Sequence, residues 1–219
     1  SMPTLANNDH FGSSIALDGN RLAVGAPAEV AGATGNGAVY LLNGLGDNIF
    51  AWRKTLASGT GAANMPALTN GDAFGWSVAL DGDLMAIGAR QDSTGGVSRG
   101  AVHLFTGVGA DFSGLTWQKK IASGTGTTAT PVLSDSDSFG LSIALDGDRL
   151  AVGAVSDATG GTNRGAVHLF TGVGTDFSGL TWQKKLASGT GATGMPALAD
   201  SNYFGWSVAL DGDRLAVAA

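Results

Sequence analysis

Bulky and small side chains alternate through one stretch that the chain repeats. In Phe74-Gly-Trp-Ser-Val-Ala-Leu-Asp-Gly-Asp-Leu-Met-Ala-Ile-Gly-Ala89, Trp76, Val78 and Leu80 fall on one face and Ser77 and Ala79 on the other. A period of two is the signature of a β-strand. A second alternating run follows after Asp81-Gly82. Similar copies begin at Phe11, Phe139 and Phe204, so the repeat period is 63, 65 and 65 residues. Self-similarity at such a spacing points to a repeat architecture.

Asp-Gly between two alternating runs predicts a β-hairpin closed by a two-residue type I′ turn. With Asp18-Gly19 as the turn, Ile15 faces Leu22 and Ser14 faces Ala23, so large meets large and small meets small. A slip of one residue destroys that match. The same reading holds at Asp81-Gly82, Asp146-Gly147 and Asp211-Gly212. Each hairpin therefore has a bulky face and a nearly bare one, a shape suited to sheets stacked bulky face into bare face. One Leu or Trp buried in this way contributes roughly 1.5–3 kcal/mol.

Two more strands follow in each full repeat. The third runs Gly37–Leu42, Gly100–Phe105 and Gly165–Phe170, and the fourth Ala51–Leu56, Trp117–Ile121 and Trp182–Leu186. Loops rich in Gly, Ser and Thr join them. The fourth strand carries the most charge, as an exposed edge strand should. No stretch has a helical period. Four short strands in a meander, repeated along a chain, are the blades of a β-propeller. A β-solenoid, with coils of about 20–30 residues, suits the unit less well. The expected fold is all-β: full blades of four antiparallel strands at about 11–59, 74–124 and 139–189, and a half blade at 204–219.

Composition narrows the function. Hydrophobic residues make up 43% of the chain, too many for a disordered one. The net charge of −6 argues against nucleic acid, which demands a basic footprint. No run of 18 apolar residues occurs, so no membrane helix and no membrane insertion is expected. Cysteine is absent, which excludes disulfides and thiolate chemistry.

Phe-Gly at each repeat start, Leu-Ala-Val-Gly-Ala-Pro at 22–27 and Gly-Ala-Val-Tyr-Leu at 37–41 resemble the FG-GAP repeat, the blade unit of integrin α-chain propellers and of many bacterial surface proteins. The resemblance extends over every repeat. The Gly-Ala-Pro triplet is complete only at Gly25-Ala26-Pro27; it becomes Gly88-Ala89-Arg90, Gly153-Ala154-Val155 and finally Ala218-Ala219. Integrin-type blades often carry a calcium loop between the first two strands. Here that place holds only the tight Asp-Gly turn, with too few oxygen ligands for Ca²⁺, so calcium is not carried over. The resemblance implies a full propeller of about seven blades. Three repeats and a half cannot close such a ring, so self-association is expected, through exposed blade faces and strand edges.

Several motifs carry a chemical reading and a plainer one. Asp135-Ser-Asp137 resembles the start of a calcium loop, and Asn7-Asn-Asp9, Asn70-Gly-Asp72 and Asp200-Ser-Asn202 occupy the same place; short polar side chains there equally cap the turn into strand one. Gly189–Gly194 matches GxGxxG, but no helix follows to hold a phosphate. Gly75-Trp-Ser77-Val-Ala79 approaches a nucleophile elbow, yet recurs in all four copies and reads as bare-face packing. His103 and His168 share a slot with Tyr40, a poor substitute for a ligand or base, and read as packing or half-exposed surface. His10 has no obvious partner. Trp76 and Trp206 read as inter-blade packing, and Trp52, Trp117 and Trp182 as outer packing; stacking on sugar is the other use. No catalytic, cofactor-binding or metal residue is assigned. The expectation is a non-enzymatic module of an extracellular or bacterial cell-surface protein, an adhesin, scaffold or protein-binding platform, with a glycan-binding propeller as the alternative.

Overall fold

A computed structural model describes residues 4–30, 35–44, 50–125, 128, 130–190, 192–195 and 197–219. Blade 1 is β1 (Ser14–Asp18), β2 (Arg21–Ala26), β3 (Ala38–Gly44) and β4 (Phe50–Leu56). Blade 2 is β5 (Phe74–Asp81), β6 (Leu84–Ala89), β7 (Ala101–Thr106) and β8 (Thr116–Ile121). Blade 3 is β9 (Phe139–Asp146), β10 (Arg149–Ala154), β11 (Ala166–Thr171) and β12 (Thr181–Ala187). A two-stranded sheet, β13 (Ser207–Asp211) and β14 (Arg214–Ala218), ends the array. All pairs are antiparallel and follow chain order, so each sheet is a meander. Among the described residues there is no helix. The sheets stack as an open arc of propeller blades.

The stacking is bulky face into bare face, as the alternation predicts. Ala16 and Ala23 of blade 1 pack with Val78 and Leu80 of blade 2. Ala79 and Ala86 of blade 2 receive Ile143 and Leu145 of blade 3. Ala144 and Ala151 of blade 3 receive Val208 and Leu210. The core is thus a series of layers between sheets rather than one central mass.

The hairpin register differs from the sequence expectation. Asp18 pairs with Arg21, Leu17 with Leu22 and Ile15 with Val24, so the turn residues are Gly19-Asn20, not Asp18-Gly19. The same shift occurs at Gly82-Asp83, Gly147-Asp148 and Gly212-Asp213. Only the glycine has a positive φ, +56° at Gly19, so the turn is of type II′ rather than I′. A shift of two leaves every side chain on its own face. Alternation therefore cannot separate the two registers.

A second departure lies at Trp76. A bulge between Phe74 and Ser77 lifts it out of the β5–β6 ladder. It joins no inter-blade layer; the Arg90 guanidinium instead lies 3.7 Å from its ring centroid, a cation–π contact. Trp206, at the same place in the last copy, is 59% exposed, with Tyr203 edge-on to it.

The outer strands are less exposed than their lysines suggest. Ala63, in the segment between blades 1 and 2, donates its N–H to Leu115 O (3.0 Å) and accepts from the Trp117 N–H (2.8 Å). Met65 and Leu68 of the same segment are buried in the blade-1/blade-2 layer. Each fourth strand also carries a bulge, between the residues opposite Leu41/Leu42, Leu104/Phe105 and Leu169/Phe170. Covering and bulging both blunt an edge.

Candidate functional site

Two constellations recur in the blades, one buried at the outer side and one at the hairpin turns. The buried one begins with the Asp that precedes each first strand. Asp72 accepts the Thr69 N–H and Asp137 the Ser134 N–H, each at 2.7 Å, and Asn202 accepts the Ala199 N–H at 2.6 Å. Asp9 accepts the Ala6 N–H in the same way. These side chains close the turn that enters strand one. Asp135 and Asp200 are held by Arg99 and Arg164, each at 2.8 Å. Of the oxygens read as candidate calcium ligands, those of Asp9, Asp72, Asp137 and Asn202 are thus engaged by backbone N–H groups and those of Asp135 and Asp200 by guanidinium groups.

Beside the cap of each full blade lies a second acid, Glu29, Asp92 or Asp157. In blade 2, Asp92 accepts the Thr94 N–H (2.8 Å) and the Lys120 ammonium (3.1 Å). His103, on β7 opposite Lys120, is 1% exposed. Its Nδ1 accepts the Trp117 indole N–H at 3.3 Å, which leaves the proton on Nε2. That Nε2 finds no acceptor among the described residues. The ring stands perpendicular to Phe74, centroids 5.3 Å apart. Blade 3 repeats the arrangement with Asp157, Lys185, His168, Trp182 and Phe139.

Blade 1 solves the same problem with other residues. Tyr40 takes the histidine position and Thr55 the lysine position. Tyr40 donates to Glu29 at 2.9 Å, and the Trp52 indole turns to Thr55 at 3.3 Å. Where the acid lacks a lysine, a phenol satisfies it. The exchange also crosses the pairing: in blade 1 the acid bonds to the residue at the histidine position and the indole to the residue at the lysine position.

The electrostatics follow from burial. Desolvation pushes Asp72 and Asp137 up to about 6, the Thr69 and Ser134 N–H groups opposing it. Desolvation pushes His103 and His168 down to about 4, so both are neutral at pH 7. Asp92 and Asp157 end below the usual carboxylate range: burial would raise them, but the bonds from Thr94 and Thr159 and the lysine ammoniums outweigh it. A cleft of about 350 Å³ runs between Leu68 and Thr69 of the linking segment and the Asp72, His103, Trp117 and Lys120 side chains.

The other constellation joins neighbouring blades. Ser14 donates to Gly75 O (2.8 Å), Ser77 to Gly140 O (2.8 Å) and Ser142 to Gly205 O (2.6 Å). At the turns, Asp18 accepts the Gly82 N–H (2.9 Å), Asp81 the Gly147 N–H (2.6 Å) and Asp146 the Gly212 N–H. Arg21 and Arg149 donate to the carbonyls of those same glycines, Gly82 and Gly212. Ser77, half of the elbow-like motif, is therefore a buried inter-blade donor. The Asp that reads as a turn residue is a clamp on the next blade. Open clefts lie beside these clamps: about 600 Å³ lined by Asp18, Arg21, Asn43 and Ala110, and about 440 Å³ lined by Asp81, Asp83, Gly147 and Thr175.

The remaining candidates are peripheral. His10 is exposed, and its carbonyl accepts from the Ser13 N–H. In the Gly189–Gly194 string, Gly191 lies outside the described residues, and Thr190 closes a turn onto Ala187 at the end of β12. Trp52, Trp117 and Trp182 are half-buried against the blade layers, as outer packing. Among the described residues no group of three or more His, Cys, Asp or Glu is placed to hold a metal ion.

No curated protein matches the chain. A family model described as the FG-GAP repeat matches residues 5–42, 68–105 and 132–170, more than half of the length. The matched segments carry the clamp and cap residues of the three full blades. FG-GAP repeats build β-propeller-like modules for protein interaction and are typically extracellular, and this chain belongs to the FG-GAP repeat family.

Proposed function

We propose that the chain is a non-enzymatic adhesion or scaffolding module of a secreted or bacterial cell-surface protein, and that it engages a protein partner across the rim of its hairpin turns. The observation that carries the reading is the recurrence of one kind of cleft at successive blade junctions. Position for position, Asp18, Asn20, Arg21 and Ala110 at the first correspond to Asp81, Asp83, Leu84 and Thr175 at the second. Two like clefts at successive junctions suit an extended partner that makes two weak contacts at once, whose affinities combine through effective concentration. The buried carboxylates are engaged by backbone N–H groups and by half-buried lysines of the scaffold, which supports a binding role over a catalytic one.

Exposed Trp206 favours one other reading. With Ser201, Asn202 and Tyr203 it lines a shallow cleft of aromatic and polar groups, the mixture that takes the face of a sugar ring. In this reading the module is a lectin. Surface plasmon resonance over matrix glycoproteins, before and after enzymatic deglycosylation, separates the two. Binding that survives deglycosylation and falls when Ala110→Arg and Thr175→Arg fill the clefts supports the protein reading. Binding that vanishes on deglycosylation and with Trp206→Ala supports the lectin. Hydrolysis of a substrate panel, abolished by one polar substitution, overturns both.

A further inference from the structure

The chain has seven arginines, and six of them donate to a side chain: Arg53 to Asn43 and the rest to carboxylates. Arg90 is the exception. Its guanidinium lies on the Trp76 ring, 3.7 Å from the centroid, and meets no acceptor among the described residues. Nε is buried without a partner, whereas Nη1 and Nη2 keep access to solvent. Burial lowers the Arg90 guanidinium from its ordinary value, and no neighbouring acid counters it.

The scaffold does not call for this charge. Trp76 sits in the bulge after Phe74, and Arg90 follows Ala89, the partner of Phe74 at the open end of the β5–β6 hairpin. In blade 3 the same two places hold Leu141 and Val155, buried at 9% and 3% exposure, and in blade 1 they hold Ser13 and Pro27. An uncharged pair therefore suffices for the fold. A half-buried guanidinium without a counter-charge costs desolvation instead. Stacking on the indole offsets part of that cost and fixes the plane of the fork. What it leaves open is the edge of the guanidinium that carries Nη1 and Nη2, the edge that matches two carboxylate oxygens.

We propose that Arg90, held on Trp76, is a docking point for a carboxylate side chain of an acidic protein partner, which it grips through Nη1 and Nη2. Arg and Trp are the residue types on which protein interfaces concentrate their binding energy. A peptide carboxylate is favoured over the uronate of a glycan, because Arg90 already covers the indole face on which a sugar ring would stack. The chain as a whole carries a net charge of −6 and repels acids, so capture of one must be local. The site lies at the end of its hairpin remote from the Gly82-Asp83 turn. It uses neither rim cleft and is independent of the rim reading.

Nuclear magnetic resonance on the isotope-labelled 219-residue chain tests it, with three probes: a capped oligoglutamate peptide, its oligoglutamine counterpart and an oligogalacturonate. Oligoglutamate should shift the Arg90 Nε–H, Trp76 indole and Gln91 amide signals saturably, and bind at least about tenfold more tightly than oligoglutamine. Arg90→Lys keeps the charge but not the fork, and should lose most of that preference. Trp76→Leu with Arg90→Val installs the pair of blade 3, and should abolish the Gln91 shift while circular dichroism shows an intact fold. The proposal is overturned if oligoglutamate does not bind, if oligoglutamine binds as well, if the double variant binds oligoglutamate like its parent, or if oligogalacturonate binds more tightly than the peptide.

Discussion

The Ser77 hydroxyl donates to the carbonyl of Gly140, 2.8 Å away and 63 residues further along the chain. Both groups are buried, and the contact crosses from blade 2 to blade 3. The geometry is possible only because Gly88, beside Ser77, has no side chain. The serine, the facing glycine and the distant carbonyl make one joint.

Gly88→Ala should therefore loosen the blade-2/blade-3 joint. Its methyl meets a backbone carbonyl that cannot swing away, so the sheets must part. Overpacking of this kind costs about 1–3 kcal/mol, read as a lower urea midpoint at unchanged slope.

Removing the hydroxyl is a milder test of the same joint. Ser77→Ala should cost about 1–2 kcal/mol, because a buried carbonyl loses its donor. Ser207→Ala, the same change at a serine that is exposed in the 219-residue chain, should fall within measurement error. Equal losses at both positions would contradict the role assigned to the serine.

The buried acids and histidines pull the pH dependence in opposite directions. Asp72 and Asp137, raised to about 6, contribute stability that is complete below the unfolded value near 3.8 and is lost as pH rises through 6. His103 and His168, lowered to about 4, contribute stability that is complete above 6.5 and is lost as pH falls through 4. Between pH 4 and 6 the two slopes oppose each other. Asp72→Asn with Asp137→Asn removes one of them and keeps the cap, as Asn202 does in the last copy. Urea midpoints of that double variant should climb with pH over this window more steeply than those of the parent.

Blade 1 supplies a replacement set for blade 2. Lys120→Thr alone leaves Asp92 without its cation and should cost about 2 kcal/mol, less than a fully buried pair because Lys120 is partly solvated. Adding Asp92→Glu and His103→Tyr rebuilds the Glu29–Tyr40 pair and should recover more than half of the loss. Such recovery is the signature of residues acting as a unit, and a thermal-denaturation cycle reads it. Additive losses would show that the cluster does not act as one.

Much of this architecture is legible in the repeats. The period sets the blades, and the alternation of Ile143 and Leu145 with Ala144 sets which face meets which. What alternation cannot fix is a register shift of two, which is why Asp18 reads as a turn residue although it grips Gly82. Trp76 misleads for a related reason: a bulge adds a residue without any local cue in the pattern. The Ser77–Gly140 contact leaves no trace in periodicity, because its partners are a repeat apart. Its signal is a glycine facing a serine at the same offset in three copies, with Ala218 as the exception. The polar cluster is readable only by comparing copies, where Glu29, Tyr40 and Thr55 change together against Asp92, His103 and Lys120.

Ala63 bonds to the edge of the blade that follows it, with Met65 and Leu68 buried beneath. The genetic repeat and the physical unit are thus out of phase. A recombination breakpoint at Phe74, where the sequence motif begins, would separate a blade from the strap that seals it. A breakpoint upstream of Ala63 would move blade and strap together. Shuffling of such repeats should favour the second kind of junction, and a transplanted blade should be cut there.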